Sequence, residues 1–229
     1  MAPLTGTPAM RSVSRMDTKS SIIAQDGRSL GPIRRTCGRL VCRVMGWTPV
    51  GGLPEPERAI FIASPHTSNW DGFIMQAVAW AMGIRLSWMT KHTLFKWPFR
   101  RFLRAVGAVP VDRSRRGDTV TLVAEQVRNS NGMYLAIAPS GTRSRREHWK
   151  SGFYHIARAA DVPLICGFLD FKRKRGGCGP VIYTTGDIAA DMAKIRAFYQ
   201  GIEGKHPSLH TPVRLREEPK LSDEASQAS

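Results

Sequence analysis

Short apolar runs alternate with helical stretches along the chain from Ala59 to Tyr199. The runs have the length and the β-branched or aromatic content of buried strands, and turn-forming residues separate them from the helices. Strands are predicted at residues 59–63, 86–90, 108–111, 134–138 and 164–168, and residues 181–184 are a weaker candidate. Helices are predicted at residues 71–82, 118–128, 152–160 and 188–199, and another begins at Pro98. This order predicts an α/β fold with a mixed, mainly parallel sheet covered by helices.

The chain is long enough for one domain, but no stretch is apolar enough to span a membrane. Its 229 residues are 42% hydrophobic, which suffices for a single core. The most apolar run, Phe73 to Ile84, contains Gln76 and lies between Asp71 and Arg85. Because a spanning helix needs about 20 apolar residues, we expect none here.

The two ends of the chain differ in composition from this central part. Residues 1–30 are rich in Ser, Thr, Pro and Gly without an apolar period, and residues 207–229 end in a polar run. Segments of this kind seldom bury enough apolar surface to become ordered. We therefore predict a disordered leader, a disordered tail and a central domain at residues 51–206.

Residues 31–50 carry a short amphipathic pattern. The apolar residues recur at helical spacing, and Arg35, Arg39 and Arg43 recur every fourth position on another face. The apolar positions are Leu40, Val41, Val44 and Met45. Such a helix either lies on a membrane or packs on its own domain, and the pattern does not choose between the two.

Cysteine and histidine spacing gives no indication of a metal site. The four cysteines form no CxxC pair; they are Cys37, Cys42, Cys166 and Cys178. His206 and His210 stand four residues apart, but Pro207 disfavours the helix that would bring them together. We expect reduced thiols in a cytoplasmic chain and no metal ligands.

The charge of the chain calls for an anionic partner. Its 34 Lys and Arg residues against 18 Asp and Glu give a formal net charge of +16. Nucleic acid and an anionic membrane surface are the two common partners of such a chain. Trp97, Phe99 and Phe102 lie among basic residues, a mixture that suits either a lipid headgroup layer or single-stranded nucleic acid.

His66 and Asp71 stand five residues apart directly after the first apolar run. On a regular helix five residues turn through about 500°, so the two side chains could meet only across a strand-to-helix turn. A carboxylate bonded to one imidazole nitrogen would leave the other to take a proton from a substrate hydroxyl. The alternative is a helix N-terminus capped by Asn69 or Asp71, with His66 as an ordinary loop residue.

A second polar loop, Pro139 to Arg146, follows the run at residues 134–138. Gly141 would let the backbone approach a ligand, Thr142 offers a hydroxyl, and Arg143 can bind phosphate through two parallel hydrogen bonds. The loop suits a phosphorylated substrate, although an exposed basic turn would have the same sequence. It contains neither of the glycine-rich nucleotide-binding motifs.

The ordered set of motifs resembles the lysophosphatidic acid acyltransferase family over about residues 59–168. The segments that carry the resemblance are His66-Thr-Ser-Asn-Trp-Asp71, Lys91-His-Thr-Leu-Phe95, Gly107-Ala-Val-Pro-Val-Asp-Arg113, Pro139-Ser-Gly-Thr-Arg-Ser144 and Val162-Pro163. Because these motifs have the family's order and spacing, a catalytic role for His66 and Asp71 is favoured over the capping alternative. The family's α/β acyltransferase domain also agrees with the predicted alternation.

The resemblance implies an O-acyltransferase that moves a fatty acyl group from acyl-CoA or acyl-carrier protein to the hydroxyl of a lysophospholipid, in first place lysophosphatidic acid. It implies His66 as general base and Asp71 as its orienting partner, without a metal or other cofactor. Lys91, Arg113 and the turn formed by Gly141, Thr142 and Arg143 would bind the acceptor phosphate. Members attach to the cytoplasmic face of membranes, which would make this a peripheral membrane protein.

One position departs from the family pattern. Where the family has Glu-Gly-Thr-Arg, this chain has Ser140 in place of the glutamate. The loss of that charge leaves another lysophospholipid, an amino-lipid or a glycolipid precursor open as acceptor, and an inactive homologue as well. A non-catalytic protein that binds nucleic acid is the competing hypothesis from another class, but the order of the motifs speaks against it.

Overall fold

The computed structural model describes residues 30–91, 101, 103, 106–111 and 119–218. Its strands are β1 (Thr48–Val50), β2 (Ala59–Ser64), β3 (Leu86–Lys91), β4 (Ala108–Val111), β5 (Tyr134–Ile137), β6 (Leu164–Asp170) and β7 (Arg175–Ile182). Its described α-helices are α1 (Pro32–Met45), α2 (Trp70–Met82), α3 (Thr119–Arg128), α4 (Gly152–Ala160) and α5 (Ile188–Tyr199). The leader up to residue 29, the start of the helix predicted at Pro98 and the tail after residue 218 lie outside the described residues.

The strands form one sheet in the order β1-β7-β6-β2-β5-β3-β4. The five strands from β6 to β4 are parallel to one another, whereas β7 is antiparallel to β6 and pairs in parallel with β1. This confirms the mixed, mainly parallel sheet that the alternation predicts. The strand predicted at residues 181–184 is instead the end of a longer strand that begins at Arg175, and β1 was not predicted.

Both faces of the sheet are covered, which explains why its central strands are continuously apolar. Along β2, Ile60 and Ile62 pack toward α3, α4 and α5, while Ala59 and Phe61 pack toward α1 and α2. The alternation follows from the period of two in an extended strand. The two hydrophobic layers therefore lie on opposite faces of one sheet.

Helix α1 packs on the domain with one face and is exposed on the other. It crosses α2 closely at Gly38, where a Cβ would lie 2.4 Å from the backbone nitrogen of Ala81. Cys42 on the same helix is buried. The face of α1 that carries Gly38 and Cys42 is therefore packed on its own domain. For this reason the predicted boundary at residue 51 does not separate two independent units. None of the helices in the described ranges combines the length and apolarity needed to cross a membrane.

The chain beyond residue 207 differs from its prediction. Residues 207–218 pack on the domain instead of forming a disordered tail: Trp149 N donates to the carbonyl oxygen of Arg214 at 2.8 Å, and Leu215 is buried. Thr211 is buried too, and its Oγ1 accepts from Arg146 N at 3.1 Å. Contacts made by isolated residues leave no period in a sequence, so composition alone predicted disorder here.

Candidate active site

The turn between β2 and α2, residues 65–69, is folded around the carboxylate of Asp71. Asp71 lies in the first turn of α2 and is 3% exposed. Its Oδ2 accepts hydrogen bonds from Thr67 N at 2.7 Å and Ser68 N at 2.8 Å. Backbone donors to a charged acceptor make strong hydrogen bonds, so the carboxylate has a fixed position. We call residues 65–69 the catalytic turn below, after the role proposed for His66.

The same turn brings His66 to Asp71. His66 Nδ1 lies 3.2 Å from Asp71 Oδ2, and the imidazole is 28% exposed. A hydrogen on Nδ1 that donates to the carboxylate makes Nε2 the nitrogen that can accept a proton. The side chains therefore meet across a strand-to-helix turn, as their spacing requires.

The loop after β5 reaches the catalytic turn through Arg143. Because β5 pairs with β2 in parallel, both loops leave the sheet at the same edge. Gly141 has φ of +64°, a conformation that favours glycine, and its N–H donates to the carbonyl oxygen of Ala138. Arg143 Nη1 donates to Asn69 Oδ1 of the catalytic turn. The guanidinium thus lies beside the turn that holds His66.

Ser140, the residue that departs from the family pattern, is satisfied within its own loop. It is buried, and its Oγ donates to the carbonyl oxygen of Thr142 at 2.7 Å. This bond shapes the turn that presents Gly141 and Arg143, but it supplies no charge. A glutamate at this position would add a negative charge to the loop that carries Arg143. The loop of this chain is therefore more cationic than one with the family's Glu-Gly-Thr-Arg sequence.

The structure brings together most of the predicted site residues. At the carboxyl edge of the sheet, His66 lies on the loop after β2, Asp71 lies in the first turn of α2, and the loop after β5 carries Gly141, Thr142 and Arg143. The backbone of Lys91 ends β3, whose carboxyl end lies at this edge too. Arg113 and the aromatic residues 97, 99 and 102 lie outside the part of the chain whose side chains are described. A cluster of three His, Cys, Asp or Glu side chains suited to a metal is not found among the described residues.

An apolar cavity of about 550 Å³ opens beside His66, Asp71 and Arg143. It extends between the sheet and the inner face of α2 as far as Met82 and Cys178. Burial raises the pKa of the Cys178 thiol to about 12, so this sulfur is a neutral part of the wall and not a nucleophile. Sequence reasoning missed this cavity. The one signal was the nearly uninterrupted apolar sequence of α2, which has small residues at Ala77, Ala79 and Ala81.

The rim of the site carries exposed aromatic side chains. Trp70 is 52% exposed and Phe73 is 53% exposed, and their ring centroids lie 6.1 Å apart. Lys205 Nζ lies 5.5 Å from the centroid of the Trp70 ring, within the range of a cation–π interaction. Phe73 also lines the cavity, so the exposed aromatic surface is continuous with its mouth.

This arrangement is that of an α/β enzyme whose polar groups meet at the carboxyl edge of a mainly parallel sheet. The family model for the acyltransferase domain matches residues 51–167, just over half of the 229 residues. The chain belongs to the acyltransferase family, which confirms the family predicted from the motifs. The chain is thus an acyltransferase by family.

The fold is similar to that of a solved acyltransferase. The solved structure is the crystal structure of the 1-acyl-sn-glycerophosphate (LPA) acyltransferase PlsC from Thermotoga maritima, with a TM-score of 0.54 and 15% sequence identity. The match covers 74% of this chain and 77% of that chain. No curated protein matches the sequence.

Proposed function

We propose that the protein transfers a fatty acyl group from the thioester of acyl-CoA or acyl-carrier protein to the hydroxyl of a lysophospholipid, in first place lysophosphatidic acid. The observation that carries the proposal is the approach of His66 Nδ1 to within 3.2 Å of Asp71 Oδ2 at the mouth of the apolar cavity. A thioester carbonyl at the mouth would let its acyl chain lie in the cavity. The proposed reaction needs no metal or other cofactor.

The proposed chemistry uses His66 twice. Its Nε2 takes the proton of the acceptor hydroxyl while the oxygen attacks the thioester carbonyl carbon. The tetrahedral intermediate then collapses to an ester, the C–S bond breaks, and the imidazolium returns the proton to the departing thiolate. Asp71 holds the ring and stabilises its charged form between the two steps, as the carboxylate does in other triads and dyads.

The acceptor phosphate is proposed to bind at the loop after β5. Arg143 supplies a charge and two parallel donors, Gly141 allows close approach, and Thr142 adds a hydroxyl. Lys91 and Arg113 are proposed to complete the phosphate site from the family resemblance. Because Ser140 leaves this loop without the family's carboxylate, another lysophospholipid, an amino-lipid or a glycolipid acceptor is the second candidate.

Replacing Arg143 tests the phosphate site. Arg143→Ala is expected to raise the acceptor KM about tenfold or more and to leave the donor KM unchanged, because a charge-assisted contact worth about 1.5–3 kcal/mol is lost. Steady-state kinetics with varied acceptor measure this. Arg145→Ala, which removes an exposed arginine from the same loop, is the matched control. An unchanged acceptor KM in Arg143→Ala would remove the phosphate role.

The protein is further proposed to bind the cytoplasmic face of an anionic membrane through α1. Ile33, Leu40 and Val44 are 79%, 61% and 78% exposed on this helix, and arginines flank them. Burying apolar side chains at an interface is worth about 1.5–3 kcal/mol each, and the arginines add attraction to anionic lipids.

Point substitutions test this surface better than a deletion, because α1 also packs on α2. The double variant Leu40→Glu, Val44→Glu is expected to bind anionic vesicles at least tenfold more weakly in a sedimentation assay. Leu122→Glu, at a 48% exposed leucine of α3, is the control. Undiminished binding of the double variant would move the membrane contact to the basic stretch at residues 85–116.

The experiment that tests the proposed function is thiol release from an acyl-CoA with a panel of acceptors. The panel includes lysophosphatidic acid, other lysophospholipids, an amino-lipid and no acceptor, and acyl-carrier protein replaces CoA in a parallel series. Release that depends on one acceptor class would support the transfer and name that class. Absence of release with every donor and acceptor would contradict the proposal.

A further inference from the structure

We propose that residues 203–206, which we call the strap, hold the catalytic turn in its productive position, with Thr67 and Gly204 as positioning residues. The strap lies beyond residues 51–167, the range that the family model matches. Its effect on rate rests on the proposed function, whereas its effect on the geometry of His66 does not.

The strap is fixed at its first end to the turn between β6 and β7. Phe171 N donates to the carbonyl oxygen of Glu203 at 2.9 Å, and Lys172 Nζ lies 2.7 Å from Glu203 Oε1. Just before the strap, Arg173 Nη1 donates to the carbonyl oxygen of Gly201 at 3.0 Å. Hydrogen bonds to two backbone carbonyls and one ion pair therefore hold this segment against the turn between β6 and β7.

Three consecutive strap residues contact the catalytic turn and the residue after it. His206 N donates to Thr67 Oγ1 at 3.2 Å. A Cβ on Gly204 would lie 2.8 Å from Thr67 Oγ1, closer than a Cβ normally approaches another atom, and 3.0 Å from Pro65 Cβ, which is also a tight contact. Lys205 lies over the ring of Trp70. Glycine at position 204 thus allows the strap to lie directly against Thr67, whereas a side chain at this position would move the two segments apart.

Thr67 connects this contact to the His–Asp pair. Its side chain accepts a hydrogen bond from the strap, while its backbone N–H donates to Asp71 Oδ2, the oxygen that lies 3.2 Å from His66 Nδ1. Thr67 is 3% exposed and has little room to move. A displacement of Thr67 by the strap would therefore shift the carboxylate and, through it, the imidazole. Displacements of this kind near 1 Å cost about a hundredfold in rate.

Thr67→Val and Gly204→Ala test the strap from its two sides. Valine keeps the shape of threonine but removes the acceptor for His206 N, and alanine introduces the close Cβ. Both variants are expected to lower kcat about 10- to 100-fold with the donor KM unchanged. Thr67→Ser, which keeps the hydroxyl, is expected to retain the wild-type kcat. Gly152→Ala is the control, since nothing lies within 4 Å of a Cβ there.

A second readout does not depend on acyl transfer. The ¹⁵N chemical shift of His66 Nδ1 is sensitive to the distance between this nitrogen and Asp71 Oδ2, and it is expected to change in Thr67→Val and Gly204→Ala but not in Thr67→Ser or Gly152→Ala. If the wild type transfers no acyl group, a changed shift still supports the strap while the proposed function fails. Wild-type kcat and an unchanged shift in Thr67→Val would overturn the proposal, and thermal melts identify any variant that has lost its fold.

Discussion

His66→Ala is expected to lower acceptor-dependent thiol release by about 10²- to 10⁴-fold, because no other group takes over proton transfer from the acceptor hydroxyl. The imidazole is 28% exposed and lies in a turn, so its removal leaves no large hole in the core. The fold and the binding of acyl-CoA should therefore survive. Thiol release with the preferred acceptor, together with a thermal melt and donor binding by calorimetry, measures all three.

His155→Ala is the matched control for this substitution. His155 is an exposed histidine of α4, and its replacement should leave the rate within a factor of about two, as surface substitutions usually do. A His66→Ala enzyme that releases thiol at near the wild-type rate would remove the general-base role. In that case the Asp71 carboxylate would be a structural anchor of the turn only.

Ala79→Phe is expected to shift the enzyme toward shorter acyl donors. Ala79 lines the cavity eight residues along α2 from Asp71, about 12 Å at the rise of a helix. A phenyl ring at that depth would occupy space that the far end of a long acyl chain needs. We expect kcat/KM for long-chain acyl-CoA to fall at least tenfold and kcat/KM for short-chain acyl-CoA to stay within about threefold. The reason is that each methylene excluded from an apolar pocket loses about 1–3 kcal/mol of binding free energy. A series of acyl-CoA chain lengths measures the profile.

The control is Ala193→Phe, which places the same side chain on the exposed face of α5. It should leave the chain-length profile unchanged. If Ala79→Phe also leaves the profile unchanged while it folds normally, the acyl chain does not lie in this cavity. The proposed role of the His66–Asp71 pair would not be affected by that result. The acyl chain of the donor would then have to bind elsewhere than in this cavity.

The sequence determined the central elements of the fold because the apolar pattern within each element shows which of its residues are buried. A strand covered on both faces must be apolar throughout, so β2, β5 and β6 are recognisable alone. Helix α4 has an apolar face with clear ends, α5 buries Met192, Ile195 and Tyr199, and the bounds of both helices match the prediction. The ordered motifs also determined the family, and the spacing of His66 and Asp71 allowed contact only across a turn.

Only the tertiary structure decided the features that depend on distant partners. Strand β7 contains three glycines and one proline in eight residues, and it forms because its backbone pairs with β6 and β1, which requires no side-chain pattern. The cavity is a space between α2 and the sheet, so no single segment encodes it. The strap meets the catalytic turn across 139 residues of sequence at the His206–Thr67 hydrogen bond. A local pattern records which face of an element is buried, but not which remote backbone or void lies against it.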